Sequence, residues 1–300
     1  MRKIIKVGTR ESDLAMTQTK WVVNEMQKKY PQLEFELIPM KTKGDIILDT
    51  RLDKIGGKGL FIKELENALL DKSIDLAVHS MKDMPAELPD GLTIAALSKR
   101  EDPRDVLVTL DGGKLGELKY GAVIGTSSAR REVQLLEARP DIHIKTLRGN
   151  VLTRLNKLLN GDYDGVVIAA AGLKRLGLED KISQFFSVEK IIPAVGQGVL
   201  SIEARENDDV IAMLDSIHCK ESELAVRAER AFMIKLNGGC SIPLGAHALI
   251  DGTYMKVYGM MASEDRAKIF RAVLEGPTDE AESLGIRLAE DIIERMNFLV

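Results

Sequence analysis

Cationic and hydroxyl side chains directly follow the predicted strands, at the edge where a parallel sheet binds its ligands. In chain order these segments are residues 9–12, 79–85, 126–131 and 147–150, with Arg154 one helical turn further on. Two of them open predicted helices, whose free amides and partial positive charge attract carboxylates or phosphates. Taken singly, each arginine could be a solvated side chain and each Ser or Asn a helix cap. Their clustering at strand ends instead predicts a site for a polyanionic ligand.

Asp83 is the acidic residue best placed for chemistry at these strand ends. It lies two residues before Pro85, where an aspartate often caps a turn. Next to Lys82 and Ser80 it could instead act as an acid or base, or stabilise a cation. The local sequence leaves both interpretations open.

The histidines and cysteines show no metal-ligand spacing. The four histidines stand at 79, 143, 218 and 247, and the two cysteines form no CxxC pair. We therefore expect mostly structural histidines, free thiols and no metal.

Cys240 follows two glycines in a turn that suits a reactive or modified thiol, although a half-buried loop thiol fits equally well. Cys219, at the head of a predicted helix, is expected to be inert.

Composition excludes several classes of partner. The 300 residues carry 42 Lys and Arg against 46 Asp and Glu, so the formal charge of −4 provides no general field for nucleic acid or an acidic membrane. One Trp, five Tyr and seven Phe are too few for a base-stacking platform. Charged residues flank Ile4 and Ile5, and the longest apolar stretch, near 166–173, is far too short to span a bilayer. We expect a cytoplasmic protein.

The order of predicted elements indicates two α/β units. The first has strands over 4–8, 35–40 and 74–79 and helices over 13–30 and 60–71. A polar linker over 99–104 precedes the second unit, with strands over 123–125, 142–146 and 166–169 and helices over 129–138 and 151–159. Parallel strand order is the default expectation.

The Gly-rich segment 41–59 is too long for an ordinary connection, so it predicts a mobile flap or a disordered loop. It matches no nucleotide-binding motif.

The last 80 residues change character. An amphipathic helix over 221–235 leads into strands over 246–250 and 254–260, joined by Asp251-Gly252, a strong hairpin signal. The closing helix places an apolar stripe on one face, formed by Ala281, Leu284, Leu288, Ile292 and Met296. These features predict a separate, smaller α+β domain.

Six segments taken together resemble one family, porphobilinogen deaminase, also called hydroxymethylbilane synthase. They are VGTRES at 7–12, VHSMKDMP at 78–85, GTSSARR at 125–131, LRGNV at 147–151, IPAVGQG at 192–198 and GGC at 238–240. They occur in the family's order and cover nearly the whole chain. Glu11 and Asp13 depart from the small or polar residues expected beside Ser12, which leaves the site assignment unchanged.

The resemblance implies an α/β fold with two lobes similar to type II periplasmic binding proteins, a cleft between them, and a smaller α+β C-terminal domain. The implied domains are residues 1–98 with 199–217, residues 103–194, and residues 220–300. The implied reaction is that of a transferase of tetrapyrrole biosynthesis. Four porphobilinogen molecules condense head to tail with loss of ammonia and yield hydroxymethylbilane, primed by a dipyrromethane cofactor. The family further suggests a monomer.

Site residues follow from the same resemblance. Asp83 is the implied catalytic residue, stabilising the azafulvenium-type cation left by deamination, while Lys82 and Arg10 position substrate carboxylates. The implied cofactor-binding residues are Cys240, through a thioether, with Ser80, Lys82, Asp83, Thr126, Ser127, Ser128, Arg130, Arg131, Arg148 and Gly149. The implied substrate-binding residues are Arg10, Ser12, Phe61, Arg148, Asn150, Arg154, Arg175 and Gln197, with Phe61 stacking on a pyrrole.

Two other functions would also explain anion-binding side chains at the strand ends. A two-lobed anion-binding or sensor protein would leave the Gly-Gly-Cys turn unexplained. An α/β enzyme that acts on phosphorylated metabolites through the helix start near Thr126 would carry no covalent pyrrole. Six motifs in order favour the deaminase over both.

Overall fold

The computed structural model describes residues 4–42, 44, 62–237 and 243–297. Its contacts divide the chain into two compact units. In the described part, the first unit comprises residues 4–42, 44, 62–101 and 198–223, and the second comprises 102–197, 224–237 and 243–297. The second unit contains two sheets. The three-domain boundaries given above therefore stay a prediction.

The first unit is built on a five-stranded mixed sheet. Its elements are β1 (Ile4–Arg10), α1 (Asp13–Lys29), β2 (Glu34–Met40), α2 (Lys63–Leu70), β3 (Leu76–Ser80), β4 (Leu92–Leu97) and β10 (Leu200–Arg205). The strand order is β2-β1-β3-β10-β4. β1 pairs in parallel with β2 and β3, whereas β10 runs antiparallel to β3 and β4.

Apolar residues cover both faces of this sheet. Ile5, Val7 and Ile202 pack with Val22 and Met26 of α1 on one face. Leu65 and Leu69 of α2 cover the other face. Ser12 caps α1, since its Oγ accepts a hydrogen bond from the Ala15 amide at 3.4 Å.

The larger sheet of the second unit also has five strands, in the order β7-β6-β8-β5-β9. The elements are β5 (Asp105–Val108), β6 (Val123–Gly125), α3 (Ala129–Ala138), β7 (His143–Lys145), α4 (Val151–Leu159), β8 (Gly165–Ala169), α5 (Ala170–Arg175) and β9 (Gln184–Phe185). β6 is parallel to β7 and β8. The expectation of parallel order is therefore confirmed for these three predicted strands, whereas β5, which was not predicted, is antiparallel to β8 and β9.

The C-terminal portion is a three-stranded antiparallel sheet with two helices. Its elements are α6 (Lys220–Lys235), β11 (Leu244–Asp251), β12 (Tyr254–Ala262), β13 (Ile269–Pro277) and α7 (Ala281–Asn297). The Asp251-Gly252 hairpin is confirmed, with Asp251 paired to Tyr254. Leu284, Leu288 and Ile292 of α7 are fully buried in the core with Phe232 of α6. An α/β fold with an α+β C-terminal portion is therefore confirmed.

Candidate active site

In the first unit, Arg10 ends β1 and Asp83 ends a short 3₁₀ turn, Met81–Asp83, that follows β3. Buried Met81 and Met84 anchor this turn, and the Met81 amide donates a hydrogen bond to the Val199 carbonyl oxygen at 2.9 Å. Lys82 and Asp83 remain only half-buried. The turn therefore holds the two polar side chains at the strand end while its apolar residues fix its backbone.

Arg10, Ser80 and Asp83 line one pocket of this unit, together with Ala15, Gln18, Ile62, Val78 and His79. Gln18 reaches in from α1, where its Nε2 donates to Ser80 Oγ at 3.2 Å. Sequence reasoning missed Gln18, because one polar residue on a helix face carries no signal of a strand end nearby. The structure thus brings a cation, a carboxylate and hydrogen-bonding groups into one small space.

In the second unit, hydrogen bonds join the segments that follow β6 and β7. Ser127 Oγ donates to the Leu147 carbonyl oxygen at 2.6 Å, and the Thr126 amide donates to the Lys145 carbonyl oxygen at 3.1 Å. Ser128 caps α3, accepting from the Arg131 amide at 3.5 Å. The predicted strand-end donors of this unit therefore share one edge of its sheet.

Asn150 and its neighbours shape the adjoining helix start. Asn150 Oδ1 accepts from the Thr153 amide at 2.8 Å and so caps α4. Gly149 has a φ of +117°, and a Cβ there would lie 2.7 Å from a methyl of Thr153, so the position requires glycine. Arg154 Nε donates to the Gly149 carbonyl oxygen at 2.8 Å. Arg148 is only 5% exposed, and burial lowers the pKa of its guanidinium.

Arg130 and Arg131 are buried against Asp105 at the start of β5. Arg131 donates to Asp105 Oδ1 at 2.6 Å and to the Val167 carbonyl oxygen at 3.2 Å. Arg130 lies 2.8 Å from Asp105 Oδ2 and donates to the Ile192 carbonyl oxygen at 2.6 Å. Burial alone would raise the pKa of Asp105, but the two guanidinium groups overcome it and hold that pKa well below its usual range.

Gln197 belongs to the same buried network, since its Nε2 donates to Asp105 Oδ1 at 2.9 Å. The side chains of Arg130, Arg131 and Gln197 thus bond to Asp105 and to backbone carbonyl oxygens of the same unit. Their predicted binding roles stay predictions. Sequence reasoning missed Asp105, which it placed just beyond a linker.

Other predicted residues lie apart from these edges or outside the description. Arg175 is at the far end of α5, about 8 Å along the helix axis from the end of β8. Cys240, Phe61 and nearly all of the predicted flap lie outside the described residues. Cys219 is a free thiol, as predicted, and it is partly buried. Within the described ranges there is no group of three potential metal-ligating residues, and no helix is long and apolar enough to cross a membrane.

These features define an α/β protein in which each unit carries cationic and hydrogen-bonding side chains at the strand ends of its sheet. Two family models match the chain: the dipyromethane cofactor binding domain of porphobilinogen deaminase over residues 5–213, and the C-terminal domain of the same enzyme over 223–294. The chain belongs to the porphobilinogen deaminase family. The members of this family are enzymes of the transferase class. The resemblance carried by the six motifs is confirmed.

Similar proteins cover almost the same length. A porphobilinogen deaminase of Syntrophotalea carbinolica is 49% identical over 292 residues, covering 97% of this chain and 93% of the relative. One of Brevibacillus brevis is 51% identical over 290 residues, covering 96% and 93%. Among solved structures, the methionine-binding protein MetQ has a TM-score of 0.47 at 14% identity, covering 74% of this chain and 92% of that one. A likeness this weak adds nothing to the assignment.

The donors of the second unit fit a cofactor that carries carboxylates. Helix-start amides, the Thr126 hydroxyl and the guanidinium groups of Arg148 and Arg154 are all groups that bind carboxylates. A dipyrromethane carries acetate and propionate side chains, so the chemistry of this donor set agrees with the family's cofactor-binding domain.

Proposed function

We propose that this chain condenses four porphobilinogen molecules head to tail, releases ammonia at each step and yields hydroxymethylbilane. A dipyrromethane cofactor, bound through a thioether to Cys240, supplies the pyrrole on which the product is built. That the enzyme works as a cytoplasmic monomer, without nucleic acid or membrane partners, is part of the same proposal and rests on the sequence.

The observation that carries the proposal is the shared pocket of Arg10 and Asp83 in the first unit. Loss of ammonia from the substrate leaves a delocalised cation. A carboxylate about 4 Å from that charge, at an effective dielectric near 20, stabilises it by roughly 4 kcal/mol, or about a thousandfold in rate. Asp83 is the carboxylate of this pocket. Arg10 and Lys82 position the substrate's own carboxylates.

The strand ends of the second unit support the proposal that the chain binds the carboxylates of the cofactor and the substrate. Arg148, Arg154 and the helix starts at Ser128 and Asn150 hold carboxylates of the cofactor and of the substrate. Each charge-assisted hydrogen bond contributes about 1.5–3 kcal/mol net. Several of them together hold a flexible polypyrrole. Arg130 and Arg131 take part through the backbone of α3, which their ion pairs with Asp105 fix in place.

The cofactor is tested by weighing the purified chain under denaturing conditions. We expect an excess mass of two condensed pyrrole units, localised by peptide mapping to the peptide that contains Cys240. Cys240→Ser should abolish the adduct, and Cys219→Ser is the matched control that should keep it. A chain that stays at its bare mass after incubation with porphobilinogen would refute the proposed function, and an adduct on Cys240→Ser would refute the attachment site.

A further inference from the structure

A buried imidazole–carboxylate pair adjoins the pocket that Arg10 and Asp83 line in the first unit. His79 Nε2 is 2.9 Å from Glu203 Oε2, and the two side chains are 2% and 0% exposed. His79 stands on β3 opposite Ser201 of β10, and Glu203 stands two residues along β10, opposite Ala77. The pair therefore joins neighbouring strands on the face that α2 covers. The reaction assigned above gives this pair no role.

His79 connects the pair to the reaction pocket. It lines the same pocket as Arg10 and Asp83, and only three residues separate it from Asp83 along the chain. The pocket has a volume of about 20 Å³. That volume holds about one water molecule, which can link the imidazole to the carboxylate of Asp83.

Glu203 sets which ring nitrogen of His79 carries the proton. An ionised carboxylate only accepts hydrogen bonds, so the proton of the neutral ring lies on Nε2 and the lone pair lies on Nδ1. Among the described residues, the titratable groups around the pair are Glu66 and Lys63 of α2, Arg10 of β1 and Asp83 of the turn. Burial raises the pKa of Glu66, and the charge of Glu203 raises it further.

The proposed reaction requires a proton acceptor in addition to a cation stabiliser. The substrate enters as an ammonium ion, and its C–N bond breaks with both electrons leaving on ammonia. A C–C bond then forms from the free α-carbon of a pyrrole, and that carbon must lose its proton. A carboxylate that kept this proton would be neutral when the next cation forms. Asp83 therefore needs a neighbour that removes the proton after each addition.

We propose that His79, oriented by Glu203, is that neighbour: it accepts at Nδ1 the proton that Asp83 collects from the pyrrole carbon and passes it to the ammonia already released in the same addition. One proton leaves carbon and one ammonium ion forms per addition, so no other reactant is needed. The inference rests on the proposed function and assigns its proton relay. His79 takes its proton from Asp83 and not from the substrate, so it is a proton-relay residue.

The test compares cofactor-loaded His79→Ala, Glu203→Gln and the control Ser201→Ala. Ser201 faces His79 across the strand pair, and its buried hydroxyl has no hydrogen-bond partner among the described residues. We expect His79→Ala to lower kcat about 100-fold with little change in KM, and added imidazole to restore part of the rate. Ser201→Ala should retain the wild-type rate. A purely structural role would not give rescue by imidazole.

Nitrogen NMR provides a readout independent of turnover. The chain has only four histidines, so His79 is assigned by its disappearance in His79→Ala. We expect the wild-type ring to show the Nε2–H form, and Glu203→Gln to weaken that preference and slow turnover. This variant also serves if His79→Ala fails to fold. Wild-type kcat in either loaded variant, or a ring protonated on Nδ1 alone, would overturn the relay. Absence of ammonia release by the wild type would instead overturn the proposed function.

Discussion

Asp83 ends a turn that two buried methionines hold in place, so a change of its charge leaves the backbone supported. We expect Asp83→Asn to keep the covalent cofactor and to lower kcat about a thousandfold, because the amide cannot neutralise the substrate cation. Steady-state ammonia release by protein of verified mass measures this. Asp180, an exposed aspartate in another 3₁₀ turn, is the control, and Asp180→Asn should be fully active. Near-normal turnover by loaded Asp83→Asn would contradict the role.

Glu66 makes stability depend on pH. Its pKa is raised in the folded chain by burial and by Glu203, so the folded state binds the proton more tightly than the unfolded state does. Stability is therefore lost as the pH rises above the ordinary value of 4.5. Glu66→Gln lacks this loss, so its stability relative to wild type should increase with pH. Urea unfolding between about pH 4.5 and 7.5 tests the trend.

Glu294 provides the control for that experiment, because it is an exposed glutamate on α7. Glu294→Gln should keep a constant difference from wild type over the same range. A constant difference for Glu66→Gln as well would show that burial does not hold its proton.

At the scale of elements, Asp105 connects β5 to α3 and to the segment that contains Gln197. Asp105→Asn leaves two buried guanidinium groups without their carboxylate, and we expect a loss of about 3–5 kcal/mol in the free energy of unfolding. The lowered pKa of Asp105 means that its contribution is present above the ordinary aspartate pKa of about 3.9 and disappears as the pH falls below it.

Asp291 offers a matched control on α7, where it pairs with Arg295 one helical turn away on the surface. Asp291→Asn should cost less than about 1 kcal/mol, because exposed ion pairs contribute little. Equal losses for the two variants in urea unfolding would argue against a special role for Asp105.

Elements with a local signal were predictable from the sequence. The helices α1, α3 and α4 begin and end within one residue of expectation, since each combines an amphipathic pattern with a Ser or Asn cap. β4, β5, β9, β10 and β13 were missed. The buried strand β5 shows no alternation of polar and apolar residues, and β10 pairs with partners far away in the chain.

The residues of the candidate site also fall into those that the sequence could predict and those that it could not. Arg10 and Ser80 end strands, and Asp83 and Asn150 follow strands, so strand-end reasoning finds them. The pairs Asp105–Arg131 and His79–Glu203 join residues that are 26 and 124 positions apart. No local pattern relates such residues, because only the sheet topology brings them together.

At the scale of the whole molecule, a chain of net charge −4 binds a ligand of the same sign. Binding therefore depends on local cations, whose reach is limited to about 8 Å at physiological ionic strength. We expect KM for porphobilinogen to rise several-fold as NaCl increases from about 0.02 to 0.5 M, with a smaller effect on kcat. Sucrose at matched osmolarity is the control. A KM that is independent of salt would contradict binding through arginine.

The position of β10 in the first sheet has a consequence for protein synthesis. β10 lies between β3 and β4, but the ribosome makes it only after every strand of the second sheet. The nascent chain must therefore keep β3 and β4 without their shared partner while the second sheet already has all its strands. We expect the later-made sheet to fold first and the N-terminal one to wait, exposed to chaperones, until residue 205 has emerged. The two sheets are thus expected to fold in the reverse of the order in which their first strands are synthesised.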